Sequence, residues 1–434
     1  MTPLRFIAGL LLAFTLFRVD SAFADATIIH AGQLMAVPGQ PIEGEKSIVV
    51  ENGIITQIYN GYVRPEDLSL EGEVNVIYLG DMFVLPGLID SHVHLSGEIG
   101  PRRALQRMQE RTTETTMKGL MFARRTLEAG FTTVRDAGAP PDMIFGLRDG
   151  IDKGYVQGPR IIASGSGVSA TGSHADIDGY RPEILELFTS NTICDGPYDC
   201  RRAVREAVKY GADYIKITAT GGVLSDTNTG VAKQLTDDEL QEIMDTAHAL
   251  GRKVAAHAHG ADGINAALRA GVDSIEHGTY MDDESVALFL SGGAYYVPTA
   301  LAGETVVDMA MNTNIFPPNI REKAIEVGSV MRDALGRAHL AGVKIAFGTD
   351  SGVSKHGENA QEFLLLVRAG LSPEEAIVTA TVNAADLLGL SDEIGTIEIG
   401  KAADIIAVDG SPLLDIEQLL DVGFVMKGGD VIKE

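Results

Sequence analysis

The sequence predicts an α/β fold: a (β/α)8 TIM barrel carrying a small discontinuous β-sandwich domain built from the N- and C-terminal segments. Eight short apolar, β-branched segments recur through the middle of the chain, and each precedes a polar loop and an amphipathic segment. This is the pattern of repeated βα units. The flanking segments instead carry short alternating strands with glycine-containing turns. A chain of 434 residues with 45% apolar content is long enough for one such barrel and a satellite.

The barrel prediction depends on the strand candidates and on the helices between them. Thr236 and Glu239 form a capping-box pair at the start of one predicted helix. Ser372, Pro373 and Glu375 open another, which we expect to pack outside the barrel. The strand candidates are residues 83–89, 131–135, 160–164, 214–218, 253–256, 274–276, 294–297 and 343–347.

These patterns divide the chain into four regions. Residues 1–24 are predicted to be a leader and residues 83–390 the barrel. Residues 25–82 and 391–434 are predicted to be the two parts of the β-sandwich. One domain can be built from both because chain termini often lie close together.

The first 24 residues have the features of an export signal. Arg5 precedes an apolar run over residues 6–17, and Ser21, Ala22 and Ala24 supply small residues at the cleavage positions. The run is shorter than the roughly 20 residues that span a bilayer, although an uncleaved leader would tether the chain. We therefore expect an exported protein, periplasmic or secreted, with no membrane partner once the signal is removed.

The charge balance excludes one class of partner. Asp and Glu number 60 against 35 Lys and Arg, a formal net charge of −25, so nucleic acid and anionic membranes are not expected partners. The acidic residues are scattered, which favours a role in solubility. A small-molecule substrate is the expected partner, and assembly as a homo-oligomer stays open.

The two cysteines, Cys194 and Cys200, lie in a turn-rich stretch. In an exported chain this spacing favours a disulfide that closes a small loop. Free thiols are the alternative, and a zinc site would need two further ligands nearby.

Six candidate metal ligands lie at the ends of predicted barrel strands. Functional groups of such barrels lie at the C-terminal ends of the strands, where the loops converge on one mouth. A lone histidine is more often a packing residue, but together the six predict a metal site, and imidazole with carboxylate suits zinc better than calcium. The candidates are His92 and His94 after the first strand, Lys216 in the fourth, His257 in the fifth, His277 in the sixth and Asp350 in the eighth.

Lys216 is the unexpected member of this set. It is the one cation in the apolar run Ala-Asp-Tyr-Ile-Lys-Ile, where a bare ammonium would be costly to bury. A lysine held by a salt bridge in the barrel is the alternative.

With these motifs in order, the chain resembles the amidohydrolase superfamily. The runs Gly-Ala-Asp-Tyr-Ile-Lys at 211–216, Thr-Gly-Gly-Val-Leu-Ser at 220–225 and His-Ala-His-Gly at 257–260 are similar to the branch of Xaa-Pro and Xaa-Arg dipeptidases, with imidazolonepropionase-like and ochratoxin-hydrolysing relatives. The resemblance implies that Lys216 is an N6-carboxylysine that bridges two divalent metal ions, zinc by default. It also implies that His92, His94 and Asp350 hold the more buried ion, and His257 and His277 the other.

The mechanism that this site implies is attack of a metal-bridging hydroxide on an amide carbonyl polarised by the more exposed ion. Asp350 is the expected catalytic base, which passes the proton to the leaving amine.

Substrate contacts are predicted on loops at the mouth. His259 follows His257 by two residues, and His174 lies after the third strand. Val223 and Leu224 could line an apolar subsite, and His356 follows the eighth strand. Bracing of the ligands or ordinary packing is the alternative for all five.

The leading hypothesis is an exported amidase or peptidase that cleaves small amides with a free carboxylate on the leaving side, such as dipeptides, N-acyl amino acids or ochratoxin-like amides. An imidazolonepropionase-like hydrolase of cyclic amides is the alternative within enzymes. A non-catalytic binding protein on the same scaffold is disfavoured because all six ligand positions are filled.

Overall fold

The computed structural model describes residues 26–177, 180–188, 190–225 and 230–434. The predicted leader at 1–24 lies outside these residues. Within the described part of the chain, no helix combines the length and apolarity needed to cross a membrane.

Strands and helices alternate through the middle of the chain, and strands alone dominate its ends. The strands are β1 (Ala26–Leu34), β2 (Lys46–Glu51), β3 (Ile54–Asn60), β4 (Val74–Pro86), β5 (Leu88–Val93), β6 (Phe131–Asp136), β7 (Arg160–Ala163), β8 (Ile215–Thr218), β9 (Val254–Ala258), β10 (Ser274–His277), β11 (Tyr295–Val297), β12 (Ile405–Val408), β13 (Phe424–Lys427) and β14 (Asp430–Lys433). The helices are α1 (Arg103–Gln109), α2 (Thr112–Glu128), α3 (Pro141–Asp152), α4 (Pro182–Leu185), α5 (Pro197–Tyr210), α6 (Asp237–Ala249), α7 (Ala261–Ala270), α8 (Asp283–Gly292), α9 (Ala300–Asn312), α10 (Pro318–Leu340), α11 (Gln361–Arg368), α12 (Pro373–Thr379) and α13 (Val382–Leu388).

Both ends of the chain join one sheet, in the order β14-β13-β12-β4-β1-β2-β3. The turn between β2 and β3 is Asn52-Gly53, and both residues have positive φ, 52° and 79°. A two-residue hairpin needs this conformation, which explains the Asn-Gly pair. The prediction of an extra sheet domain made from both terminal segments is confirmed.

This sheet contacts the barrel through the long strand β4. Phe83 and Leu85 of β4, with Ile406 and Val408 of β12, belong to the main apolar core that the barrel shares. Val84, next to them in β4, belongs to the separate core of the sheet domain. Successive side chains of a strand point to opposite faces, so β4 connects the two cores.

The barrel is built from two sets of parallel strands, β5-β6-β7 and β8-β9-β10-β11. A parallel bridge between Val168 and Ile217 joins the two sets on one side. On the other side, Ile345 bridges to Tyr296 of β11, and Ser351 bridges to Val93 of β5. The segment around Ile345 therefore occupies the eighth position, and the predicted barrel fold is confirmed.

Two strand predictions differ from the structure. The apolar run 83–89 is two strands, because β4 ends at Pro86 and β5 begins at Leu88. Gly87 lies between them, where a Cβ would stand 2.2 Å from the Thr132 hydroxyl. The segment 343–347 makes bridges and single hydrogen bonds in place of a regular ladder, such as Ser91 N–H to Phe347 O at 2.8 Å.

The predicted helix starts agree with the structure. Thr236 caps α6 and Ser372 caps α12, each with a reciprocal Glu side chain three residues later. Beside α5, the structure joins Cys194 to Cys200 by a disulfide, with Cα atoms 4.9 Å apart.

Candidate metal centre

The six predicted ligands come together at the C-terminal end of the barrel. All of them line one cavity of about 1820 Å³. The strand ends bring them there because parallel strands of a barrel all point their C-termini at one mouth. The ligands are His92, His94, Lys216, His257, His277 and Asp350.

The first cluster consists of His92, His94 and Asp350, whose candidate ligand atoms all lie within 4.8 Å of one another. Asp350 Oδ1 lies 3.3 Å from His94 Nε2 and 3.7 Å from His92 Nε2. Burial raises the pKa of the Asp350 carboxyl, but the two imidazoles beside it outweigh burial and lower it below its usual value. Two neutral-nitrogen donors and a carboxylate suit a divalent transition metal.

The second cluster consists of His257, His259 and His277, again with ligand atoms within 4.8 Å. Nδ1 of His277 is 2.7 Å from Thr299 Oγ1, and Nδ1 of His259 is 2.7 Å from Thr279 Oγ1. These contacts leave Nε2 of each ring for another partner. Burial is the main cause that lowers the pKa of all three histidines. His259, predicted as a substrate contact, thus stands beside the predicted ligands.

Lys216 lines the same cavity as these clusters, with its charge unsatisfied. Its side chain is 5% exposed, and Nζ has no hydrogen-bond partner in the described part of the chain. Asp350 Oδ1 and His257 Nε2 are orphaned in the same way. Buried polar atoms normally have partners, so three orphans in one cavity fit a site that receives metal ions. No described carboxylate lies within salt-bridge distance of Lys216, which argues against the salt-bridge alternative.

The sequence analysis missed a buried charge network behind the first cluster. Glu276 Oε2 is 2.6 Å from His92 Nδ1, and Glu276 Oε1 accepts from Arg135 Nη2 at 2.8 Å and from Ser274 Oγ at 2.6 Å. Burial raises the pKa of Glu276, but Arg135 and His92 hold it well below its usual range. This carboxylate fixes the His92 ring with Nε2 facing the cluster. The sequence signal that singled out Lys216, a charged residue in an apolar strand, would also have found Arg135 and Glu276.

A second missed network joins the first and eighth strand positions. Asp90 accepts hydrogen bonds from the Thr349 hydroxyl at 2.6 Å, from Asn359 Nδ2 at 2.8 Å and from the His92 backbone N–H at 3.1 Å. Burial raises the pKa of Asp90 to about 6. Because Thr349 precedes Asp350, this carboxyl group fixes the position of His92 relative to Asp350.

Four of the five predicted substrate contacts line the cavity: His174, His259, Val223 and Leu224. The ring of His174 stacks on that of His257 with centroids 4.2 Å apart. Val223 and Leu224 pack in an apolar cluster with residues of α9 and α10.

His356, the fifth, does not line the cavity. Its side chain is fully buried, its ring stacks on Phe122 at 4.5 Å, and its Nδ1 is 3.1 Å from Glu98 Oε1. This histidine braces two loops of the mouth against each other, which favours the packing alternative over a substrate contact.

The comparison with known proteins agrees with this geometry. Residues 83–432 match the amidohydrolase family. The chain belongs to the amidohydrolase family. It is a hydrolase that acts on amide or peptide bonds, in a family that generally binds divalent metals.

Individual members of the family resemble it along most of its length. Ochratoxinase of Aspergillus niger is 31% identical over 94% of this chain and 87% of its own length. A crystal structure of a Xaa-Pro dipeptidase with methionine bound in its active site is 41% identical with a TM-score of 0.88, covering 94% of this chain and all of its own. The imidazolonepropionase of Fusobacterium nucleatum is 24% identical and covers 85% of this chain and 86% of its own.

Proposed function

We propose that this amidohydrolase is an exported, binuclear metal-dependent enzyme. Its substrates would be small amides with a free carboxylate on the leaving side, namely dipeptides, N-acyl amino acids or ochratoxin-like amides. The observation that carries the proposal is the buried, unpartnered Lys216 Nζ in the same cavity as two clusters of donor residues. The activities named for the Aspergillus ochratoxinase and the Xaa-Pro dipeptidase support the substrate class.

The residues divide into two sets of ligands. His92, His94 and Asp350 would hold one ion, and His257 and His277 the other, with Lys216 carboxylated and shared by both. Carboxylation would convert a buried cation into an anionic oxygen donor and so remove the cost of burying it. When bound, two divalent ions, zinc by default, would bring the pKa of a water to about 7 and polarise the substrate carbonyl.

The chain's own groups would position the substrate and move its proton. Asp350 has an oxygen that no described group donates to, so it is the base that takes a proton and passes it to the leaving amine. His174 and His259 line the same cavity, where their ring nitrogens are within reach of a substrate. The cavity of about 1820 Å³ exceeds the roughly 300–1,000 Å³ of ordinary ligand pockets, so it has room for each of these substrate classes.

Export is a separate part of the proposal, and it rests on the leader alone. Expression of the full chain in a host with a secretion pathway should yield extracytoplasmic protein whose first residue is near Asp25. An intact N-terminus on cytoplasmic protein would contradict this.

The enzymatic part is tested with a substrate panel. Purified mature protein loaded with zinc is incubated with Xaa-Pro, Xaa-Arg and Xaa-Phe dipeptides, N-acyl amino acids and a cyclic amide, and the released amino acid is measured by mass spectrometry. We expect the release of an amino acid from the dipeptides and from the N-acyl amino acids. Release from neither would refute the proposal, and turnover of the cyclic amide alone would favour an imidazolonepropionase-like activity.

The role of Lys216 is tested in the same assay. Lys216→Ala should lose bound metal and activity, with partial rescue by a short carboxylic acid that replaces the carbamate. Lys153→Ala, which removes an exposed lysine beyond α3, is the matched control and should keep both. Full activity in Lys216→Ala would refute the carboxylated bridge.

A further inference from the structure

The loop after β5 carries two arginines that the sequence analysis did not assign to the site. Arg103 and Arg107 are the first and fifth residues of α1, so they lie one turn apart on the same face of this helix. Both line the cavity that holds the two histidine clusters. They therefore share the space into which a substrate would bind.

Neither arginine has an acidic partner within salt-bridge distance in the part of the chain that the structure describes. Some other surface arginines do: Arg124 pairs with Glu128, Arg201 with Glu242 and Arg202 with Asp199. The chain has 60 acidic residues against 35 basic ones. Arg103 and Arg107 therefore lie side by side at the cavity with no described acidic side chain close enough to neutralise them.

The two guanidinium groups also act on each other and on the metal centre. Both side chains are exposed to solvent at the mouth of the cavity. The surrounding protein lowers the pKa of Arg103, the charge of Arg107 lowers it further, and Asp350 acts in the opposite direction. A bound anion would relieve the repulsion between the arginines while lying within electrostatic reach of the catalytic residues.

Another part of the cavity wall is apolar. Val223 and Leu224 pack there with Val306 of α9 and Val327 and Met331 of α10, and all five line the cavity. The two arginines of α1 and this apolar patch thus line the same cavity as the donor residues. A molecule that matches it has a carboxylate at one end, an apolar group at the other and the scissile amide between them.

We propose that Arg103 and Arg107 form the subsite that binds the carboxylate of the substrate, and that the wall of α9 and α10 takes an apolar acyl group. This deepens the proposed function and rests on it. It narrows the substrate class to N-acyl amino acids with an apolar acyl group. A paired guanidinium site suits a carboxylate because each fork can donate two parallel hydrogen bonds.

The test compares one substrate with its uncharged analogue. N-octanoyl-L-phenylalanine carries the carboxylate, and N-octanoyl-L-phenylalaninamide lacks it. In wild type we expect kcat/KM to be at least tenfold higher for the carboxylate. In Arg103→Gln/Arg107→Gln we expect kcat/KM for the carboxylate to fall about 10- to 100-fold, mainly through KM, and kcat/KM for the amide to stay within about twofold.

Two further variants complete the design. Arg205→Gln removes an exposed arginine of α5 outside the cavity and should change neither substrate. Arg103→Lys keeps the charge but loses the fork, and should give an intermediate KM. Arg103→Lys also tests the subsite if the double variant fails to fold.

Binding is measured separately by calorimetry on chelator-treated protein, which does not turn the ligand over. Tighter binding of the carboxylate ligand than of the amide ligand, with the difference lost in the double variant, supports the subsite. It does so even if no amide is hydrolysed, because a lack of hydrolysis would refute only the proposed function. Equal binding of the two ligands, or equal losses for both in the double variant, would overturn the subsite and leave the proposed function standing.

Discussion

Breaking the buried pair between Arg135 and Glu276 is expected to destabilise the protein and to loosen the first metal cluster. Glu276→Met removes the oxygen that accepts from Arg135 at 2.8 Å and the one that lies 2.6 Å from His92 Nδ1. The side chains of Glu276 and Arg135 are 0% and 3% exposed. Water therefore cannot replace the lost partner of either the guanidinium or the imidazole.

The loss in the free energy of unfolding depends on which buried charge each variant leaves without a partner. A buried charge left without its partner costs about 3–5 kcal/mol. Arg135 would still donate to Ser91 O at 2.5 Å and to Ser274 Oγ at 3.2 Å, so Glu276→Met should fall near the lower end of that range. Arg135→Met leaves the carboxylate unpaired and should cost a similar amount. The double variant leaves neither charge, so its loss should be smaller than the sum by about 2 kcal/mol or more.

Urea unfolding followed by circular dichroism gives the free energies of the cycle, and metal titration gives the zinc affinity. We expect Glu276→Met to weaken zinc binding about 10- to 100-fold, because it frees the His92 ring. Arg160→Met is the control, since Arg160 pairs with Asp404 at 2.7 Å where the sheet domain meets the barrel. It should lower stability without changing zinc affinity. Additive single losses, or unchanged zinc affinity in Glu276→Met, would refute the bracing role of this pair.

Three other outcomes are expected. Burial raises the pKa of Glu362 to about 8, so between about pH 5 and pH 8 the folded state binds a proton that the unfolded state lacks. The free energy of unfolding of wild type relative to Glu362→Gln should therefore fall as the pH rises, by up to about 1.4 kcal/mol per pH unit. Urea unfolding that gives parallel pH profiles for the two proteins would contradict this. Cys194→Ser/Cys200→Ser should lower the free energy of unfolding by about 2 kcal/mol, from the entropy of the short loop, and equal stability under oxidising conditions would count against the disulfide. Chelation should lower Tm and added zinc should restore it in a concentration-dependent way; a Tm insensitive to both would argue against bound metal.

The six candidate ligands could be found from the sequence because one rule places them all. Each lies in or just after a short apolar strand, and a parallel barrel brings the C-terminal ends of such strands to one mouth. That inference needs only the order of the strands. The prediction of the first strand was wrong, because the run 83–89 contains the change from the sheet domain to the barrel at Gly87. The inference about the ligands still held, since His92 and His94 come after Gly87.

What the sequence could not supply were contacts between distant segments. Arg135 and Glu276 are 141 residues apart in the chain, and their pairing depends on which side chains point into the barrel at the same level. The same limit applies to His356, which follows the eighth strand as predicted but turns inward onto Phe122. The proposed role of Arg103 could not be predicted for another reason: the segment after β5 has no periodic pattern that would say which of its arginines face the cavity.

Backbone strain at the strand ends indicates how the centre keeps its shape. His277, Thr299 and Asp350 have φ of 71°, 50° and 55°, a conformation that costs non-glycine residues about 1–3 kcal/mol each. Each is held by a specific contact: the Asp350 N–H donates to His92 O at 2.7 Å, and Thr299 Oγ1 meets His277 Nδ1. Glu362 then accepts the N–H groups of Ala300 and Leu301, directly after Thr299. Hydrogen bonds within the barrel thus balance the strain. They fix the positions of His277 and Asp350 through contacts made by the protein alone.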